Sequence, residues 1–412
     1  MKSRGGLPHL RLSQAPRRRT LTRMTTPHTV AVLGLGRMGT AIAARLAGRG
    51  FDVVGWTRSG RHAPKAARTA AGPGKAVAEA DTVILALFDG PACRTVLDDA
   101  RDALRPDTVV VNTATVAPAE AAELARGPGS YVHAPVLGSV PEVAAGALRI
   151  LAAEDADARA RVRPVLDALG DVRPVRDAAT AAALKLVANH SLAGAVLALR
   201  DTLRQADALG LPRADVVDVL ELGQLGSLVA RKRDVLTGAA PTAPADFTVG
   251  APAKDMALLA DGSGAPLRSA AGLTDAPAGA RLDPAADIAV AATAPAADDA
   301  VLEPLRAYVR GHATGDPAHF VDAFLPTAHV EGLRDGEFVS WSLDEYRALF
   351  PGRPAPDEPA RRRRLDAVDV HGSVATATMT LRHGADTFTD VFLLVRTGAG
   401  WRIANKAYHR HT

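Results

Sequence analysis

One cysteine, Cys93, occurs in the 412 residues. A single thiol excludes an internal disulfide and any metal centre built from a cysteine cluster, and no metal site is expected. Aromatic residues make up only 4% of the chain, and of the sixteen present five precede residue 300 and eleven follow it. That shift marks a boundary between units with different cores. No uninterrupted apolar run is long enough to cross a bilayer, and the nearest, Ala181 to Leu199, is broken by Lys185, Asn189 and His190. Acidic residues are missing from two places: residues 1–27, which hold seven Lys/Arg, and the stretch between Asp52 and Glu79. The first gap explains the pI of 9.4, because a net charge of +4 less those seven leaves −3 for the rest. The basic balance therefore does not call for nucleic acid. The leader has no apolar core of a secretory kind. It reads as a disordered basic segment, its composition also matches an organelle transit peptide, and Met24 offers a second start site.

Hydrophobic residues at 47% and charged residues at 23% describe a globular chain, and the length calls for two or three domains. The most informative stretch is Thr29 to Ser59. Thr29–Leu33 is a short apolar run suited to a strand buried on both faces. Gly34, Gly36 and Gly39 follow in the spacing G-x-G-x-x-G, then a helix over Ala41 to Leu46, then a strand over Asp52 to Trp56. The first glycine makes the tight turn, the second admits a pyrophosphate and the third lets the helix pack on the strand. Gly34, Leu35, Gly36, Arg37, Met38 and Gly39 are the expected phosphate cradle, at a helix N-terminus with unpaired N–H groups. An NAD site places an acid on the ribose about 20 residues beyond the turn. Here the second acidic gap falls there, and the strand ends in Trp56-Thr57-Arg58-Ser59, with Arg61 close behind. Thr57 and Arg58 thus point to a 2′-phosphate, favouring NADP over NAD.

Further strands are expected at Thr82–Leu87 and Thr108–Val111, with weaker ones at Ser130–Ala134 and Leu148–Ala152, and helices between, as at Ala119–Ala125. The alternation implies a doubly wound parallel sheet with ligands at its C-terminal strand ends. Those ends bring Leu87 and Phe88, and the segment Asn112 to Thr115, to the cofactor. Ala178 to Leu209 reads as one long helix, stopped by Gly210 and Pro212, with Leu184, Leu192, Val196, Leu199 and Leu203 at helical spacing. Lys185 and Asn189 share a face of it. A lysine in so apolar a helix either snorkels to water or has a function. Helical character weakens after Ala260, where Gly and Pro recur, so the last helices of this unit are expected to be short.

The turn Gly34-Leu-Gly-Arg-Met-Gly39 resembles that of the β-hydroxyacid dehydrogenase family, which includes 3-hydroxyisobutyrate dehydrogenases and glyoxylate/succinic semialdehyde reductases. Asn112-Thr-Ala-Thr-Val-Ala-Pro118 is similar to the family segment whose threonine, here Thr115, lies by the nicotinamide. His133-Ala-Pro-Val-Leu-Gly-Ser139 resembles the substrate motif D-A-P-V-S-G-G. The resemblance assigns Val136, Leu137, Gly138 and Ser139 to the substrate, with Leu137 in place of a serine and Ser139 in place of a glycine. Taken bottom-up, that segment is a loop after a strand. Lys185-Leu-Val-Ala-Asn189 matches the family's K-x-x-x-N, which implies Lys185 as the catalytic residue and Asn189 as its substrate-binding companion. Lys254-Asp255 resembles the second lysine motif, near the cofactor; without the resemblance it would be a surface charge pair. A homodimer is implied by the family alone.

After an Ala/Pro linker at Thr293–Ala297, helices are expected at Val301–Val309 and Ala318–Phe324. A hairpin should turn at Asp335-Gly336, and Ser342 with Glu345 should cap a helix through Phe350. Strands follow at Leu365–Val370, Val374–Leu381, Phe388–Val395 and Trp401–Ala407, making an α+β cone with an antiparallel sheet. Phe388 to Val395 and Gly400 to Lys406 resemble the lumazine-binding-like branch of the SnoaL/nuclear-transport-factor-2-like (NTF2-like) superfamily. His329, His371, Asp390 and His409 are its candidate acid/base groups, with structural histidines the plainer reading. Arg361 to Arg364 reads as a solvated strand end, since no aromatic interleaves it as in a nucleic-acid patch.

The expected layout is a leader over 1–27, a Rossmann domain over 28–175, an all-α domain over 176–297 and the cone over 298–412. The expected activity is NADP-dependent oxidoreduction of a small carbonyl or hydroxy substrate in the cytoplasm, without nucleic-acid or membrane partners. Imine reduction is the nearest alternative, against which Lys185 counts. A non-catalytic NADP-binding sensor or scaffold is the other, favoured by Leu137 and the weak helices after Ala260.

Overall fold

The computed structural model describes residues 28–411 except 61–62, 128, 154–155, 244, 246, 264–281, 294–298 and 335. The basic leader, Arg61, Asp335, most of the linker and most of the Gly/Pro-rich stretch after Ala260 lie outside the described residues.

The first unit runs β1 (Thr29–Leu33), α1 (Arg37–Ala47), β2 (Asp52–Trp56), β3 (Arg68–Thr69), α2 (Pro73–Val77), β4 (Thr82–Leu85), α3 (Gly90–Ala100), β5 (Val109–Asn112), α4 (Pro118–Ala125) and β6 (Ser130–His133). Its six strands form one parallel sheet in the order β3-β2-β1-β4-β5-β6. The chain winds outward from β1 in both directions, so the crevice between β1 and β4 is the switch point where such sheets take ligands. β4 and β5 are buried along their whole length. Helices on both faces exclude water, which is why these strands read as continuous apolar runs.

The strand expected at Leu148–Ala152 exists but belongs elsewhere. β8 (Leu148–Ala153) pairs antiparallel with β7 (Val136–Leu137) and parallel with β9 (Gly170–Val175) in a separate three-stranded sheet. α5 (Val140–Ala145) and α6 (Ala156–Leu169) complete this layer. The segment read as a plain loop therefore contains a strand, which at two residues is too short for any periodicity to betray.

The second unit is built on α7 (Ala178–Ala208). Asp177 caps it by accepting the Thr180 N–H at 2.7 Å, and Gly210 ends it at φ 70°. Among the described residues, α8 (Arg213–Glu221), α9 (Gly226–Leu236), α10 (Gly250–Ser263) and α11 (Ala289–Thr293) are the other helices of the unit. Val196, Leu199 and Leu203 share its core with Val217, Val229, Met256 and Ile288. Leu184 departs from the expected apolar face, being 43% exposed, while its neighbour Lys185 is buried. α10 continues past Ala260 and Gly262, and α11 is short. By length and composition alone α7 could cross a membrane, but here α4, α10 and α11 pack against it.

The third unit begins with α12 (Glu303–Thr314) and α13 (Ala318–Ala323). β10 (His329–Arg334), β11 (Glu337–Ser342), α14 (Leu343–Ala348), β12 (Arg362–His371), β13 (Val374–His383), β14 (Asp386–Thr397) and β15 (Gly400–His411) follow. The sheet order is β11-β10-β15-β14-β13-β12. It is not wholly antiparallel as expected: β10 and β15 run parallel, because the hairpin returns to the last strand. The Ser342 capping box forms, with the Ser342 N–H donating to Glu345 at 2.8 Å. Arg363 overturns the solvated reading of the arginine run, its side chain being 5% exposed and its two terminal nitrogens donating to Glu358 at 2.6 and 2.9 Å. Of the candidate acid/base groups only Asp390 is interior; His329, His371 and His409 are exposed, their strands presenting them outward.

Candidate active site

The turn between β1 and α1 has the geometry its glycines require. Gly34 has φ 104°, and a Cβ there would lie 2.5 Å from the Ala86 carbonyl oxygen. A Cβ on Gly39 would fall 1.8 Å from the Gly34 oxygen, so only glycine lets α1 pack on its own turn. The Gly34 N–H donates to the Trp56 carbonyl at 2.8 Å, tying the turn to the end of β2. Gly36 differs from both. It is the exposed cap of α1, a Cβ there meets nothing within 4 Å, no side chain caps it, and the first turn holds no acid. Open space in front of uncapped N–H groups fits a phosphate. Leu35 is buried beneath the turn, Met38 is half-buried, and Arg37 is exposed.

Arg58, two residues beyond β2, is exposed; among the described residues neither it nor Arg37 has a hydrogen-bond or ion-pair partner. Asp52, the acid that could be mistaken for a ribose ligand, sits at the opposite end of β2, where it pairs with Arg68 at 2.6 Å. The donor set beside the turn is thus cationic. Thr57 is half-buried next to Arg58.

The ends of β4 and β5 supply the next wall. Leu87 closes on the glycine turn, and the Phe88 ring is 61% exposed. The loop carrying Thr115 is shaped by Asn112, whose Oδ1 accepts the Ala114 N–H at 2.9 Å while its Nδ2 donates to the Tyr131 hydroxyl at 2.9 Å. Behind it the Tyr131 and His133 rings stack, and burial pushes the His133 pKa down to about 4. The sequence marked Asn112 only as a strand end and as the first residue of the segment that resembles the family's. Its role, and those of Tyr131 and His133, needed the packing of β5 against β6.

Lys254 of α10 spans from the helical unit to both of these strand ends. Its Nζ donates to the Phe88 carbonyl at 2.7 Å and the Thr115 carbonyl at 2.8 Å, and lies 4.9 Å from the Phe88 ring centroid. The next residue, Asp255, is 3% exposed and was not singled out as a site residue. Its Oδ1 lies 3.1 Å from the Lys254 Nζ, an ion pair without hydrogen-bond alignment, and its Oδ2 accepts from Asn189 Nδ2. The only signal for it was its place beside Lys254.

Lys185 completes the chain of contacts. It does not snorkel: it is 8% exposed, and its Nζ donates to Asn189 Oδ1 at 3.0 Å. That is its one hydrogen bond among the described residues, so two of the three ammonium donors are free for a ligand. Burial lowers its pKa to about 8, with Asp255 acting in the opposite direction and Lys254 adding to the fall.

The last segment, Val136 to Ser139, lies beside α7 through β7. Val136 is buried, Leu137 half-buried, and Gly138 exposed at φ 124°. The Ser139 N–H is committed to Glu142 Oε2 at 2.7 Å as the start of α5. Ser139 thus holds its backbone donor inside the fold rather than toward a ligand.

Residues 29–182 match the family model described as the NAD binding domain of 6-phosphogluconate dehydrogenase, and residues 296–409 match one described as "putative lumazine-binding". A probable 3-hydroxyisobutyrate dehydrogenase of Mycobacterium tuberculosis is 34% identical over 263 residues, covering 58% of this chain and 89% of that protein. An NAD-dependent L-serine dehydrogenase of Pseudomonas aeruginosa is 29% identical over 253 residues, covering 55% and 81%. The structure of the M. tuberculosis 3-hydroxyisobutyrate dehydrogenase with L-serine aligns at a TM-score of 0.51 and 27% identity, covering 60% of this chain and 91% of that one. The Rossmann sheet, its phosphate turn and the lysine-bearing helix beside it make this an NAD(P)-dependent oxidoreductase acting on CH–OH groups. The chain belongs to the 3-hydroxyisobutyrate dehydrogenase family, and behind the dehydrogenase it carries a separate α+β cone, the part that matches the family described as "putative lumazine-binding".

Proposed function

We propose that this enzyme uses NADP(H) to interconvert a small carbonyl compound and its alcohol, with Lys185 as the proton donor and acceptor. The observation that carries the reading is the buried Lys185 ammonium with two free donors, held by Asn189 next to the junction of the two units. When bound, NADPH supplies the hydride for carbonyl reduction. Lys185 stabilises the negative charge that reduction places on the substrate oxygen, then gives that oxygen its proton. With a pKa of about 8 it can serve as acid or base near neutral pH. Asn189 orients Lys185 and offers an amide to the substrate without titrating. Gly34 to Gly39 hold the pyrophosphate, Arg58 with Thr57 takes the 2′-phosphate, and Leu87, Phe88 and Thr115 line the nicotinamide end. Lys254 fixes the two loops that bear Phe88 and Thr115.

The substrate end departs from the family. The resemblance places a serine where Leu137 stands, and the Ser139 N–H is engaged by Glu142. Two donors to a carboxylate are therefore lost, which favours a small aldehyde or ketone over a short hydroxy acid. A homodimer, a cytoplasmic location and the absence of nucleic-acid partners complete the proposal. In its support, Leu184 and Val187 are exposed on α7, and each of Arg361, Arg363 and Arg364 pairs with an acid. A panel of aldehydes, ketones and hydroxy acids, followed by NADPH absorbance, tests the reading. Turnover of an uncharged aldehyde supports it, and binding of NADPH without turnover of any carbonyl favours the sensor reading instead.

A further inference from the structure

Among the described residues β12 is the longest strand at any sheet edge, with 10 residues against 6 for β9 and 6 for β11. β13 is its only neighbour in the sheet, so alternate backbone N–H and C=O groups on its other side have no strand to receive them. Such an edge is a template for another chain unless a bulge or repelling charges protect it. β12 has a bulge and charges, but their arrangement favours one particular partner.

The bulge lies at Asp366, between Leu365, opposite Met379, and Ala367, opposite Thr378. It resets the alternation of faces. Arg363 and Leu365 before it, and Val368 and Val370 after it, stand opposite the buried Leu381, Met379, Ala377 and Ala375, and so face the core side. Arg362, Arg364, Ala367 and Asp369 face outward and are exposed. In a regular strand, residues five apart such as 364 and 369 point to opposite faces. The extra residue at the bulge puts these two on one face.

A two-fold axis between Asp366 and Ala367, perpendicular to the sheet, therefore turns this edge onto itself with the faces matched. Leu365 meets Val368 of the partner subunit on the core side, and Arg364 meets Asp369 of the partner subunit on the outer side. The charges fit as well. Asp369 has no hydrogen-bond or ion-pair partner among the described residues. Arg364 is 75% exposed and uses only its Nε among them, on Asp366 at 2.6 Å, so its terminal nitrogens remain for a second carboxylate. Symmetry makes the pair twice. The same contact covers Leu365, which is 38% exposed at the open edge.

We propose that β12 pairs antiparallel with β12 of a second copy about this axis, so that two six-stranded sheets join into one continuous sheet. Opposite charges facing each other across the axis select a second copy, and this register, over other strands. The contact involves the cone alone and does not need the homodimer proposed for the dehydrogenase.

The test uses the full chain. Asp369→Arg and Arg364→Asp each bring like charges together twice, and each should weaken self-association by roughly tenfold or more in sedimentation equilibrium. Mixed in equal amounts, the two variants present opposite charges at both contacts, and the mixture should regain the affinity of the unsubstituted chain. Both positions are exposed, so neither change disturbs a core. Cross-linking reads the register apart from any dehydrogenase contact. Leu365→Cys mixed with Val368→Cys should give a disulfide-linked dimer under mild oxidation, and neither alone should, since the native Cys93 is buried. Self-association untouched by both charge reversals would overturn the proposal while leaving a dehydrogenase homodimer standing. Failure of the mixture to recover, or no cross-link between the two cysteine variants, would overturn it equally.

Discussion

Asp255 decides which end of the Asn189 amide faces Lys185. A carboxylate only accepts, so Asn189 must turn its Nδ2 to Asp255, and its Oδ1 is left toward the Lys185 ammonium at 3.0 Å. An amide reversed at this position would present N–H to an ammonium. Asp255 thereby orients the group beside the proposed proton donor while remaining outside its hydrogen-bond reach.

The pH dependence of catalysis follows from the same contacts. Lys185, with its pKa lowered to about 8, is an ammonium below that pH and an amine above it. Carbonyl reduction, which needs the ammonium, should run level below about pH 8 and fall as pH rises through it. Alcohol oxidation, which needs the amine, should rise over the same window. Asp255 raises the Lys185 pKa, so Asp255→Asn should move both midpoints to lower pH. Single-turnover pH profiles check this, and a midpoint unmoved in Asp255→Asn would leave Asp255 with a packing role only.

The proposed preference for NADPH rests on Arg58, exposed beyond β2 and without a hydrogen-bond or ion-pair partner among the described residues. A charge-assisted contact to a 2′-phosphate contributes about 1.5–3 kcal/mol, or roughly 10- to 100-fold in affinity. NADPH should bind tighter than NADH, and Arg58→Asp should remove the difference. Equal affinities in the unsubstituted protein would contradict the assignment.

Lys254 has a separable role. Lys254→Met would remove both hydrogen bonds from α10 to the loops at Phe88 and Thr115, at a cost of about 1.5–3 kcal/mol for each charged bond. Cofactor affinity should fall by roughly tenfold or more, and amide exchange at residues 86–89 and 113–116 should quicken. Unchanged exchange there would show that the loops hold their shape without the lysine.

Residues 299–412 should fold alone. Tyr308, Phe320, Phe324, Phe392 and Ile403 belong to a core made entirely within the third unit. Expressed separately, this fragment should unfold in one cooperative transition. A fragment that is soluble only when joined to the rest would contradict it.

Much of this was legible in the sequence because it depends on local pattern. β1 and β2 fall where the apolar runs on either side of Gly34-x-Gly-x-x-Gly39 put them, and α7 starts and stops at Asp177 and Gly210. What depends on long-range pairing was not legible. β8 looks like a sixth-strand candidate for the main sheet, and only its pairing with β7 and β9 removes it. Arg363 reads as a surface charge until Glu358, five residues earlier, closes on it. Asp255 is an ordinary acid in the sequence, and its burial follows from α10 packing on α7. The histidines lining the cone's cavity are His312 of α12 and His383 of β13 rather than the three the sequence suggested: packing of the helix places the first, and strand register decides which strand residues face in.

The central claim is that Lys185 moves the proton. Lys185→Met keeps most of the stem and removes the charge, so the helix should hold its packing. The measurement is single-turnover carbonyl reduction with NADPH affinity determined on the same sample. Affinity should stay within a few-fold while the rate falls by roughly 10²–10⁴. A rate unchanged in Lys185→Met, with cofactor still bound, would contradict the mechanism.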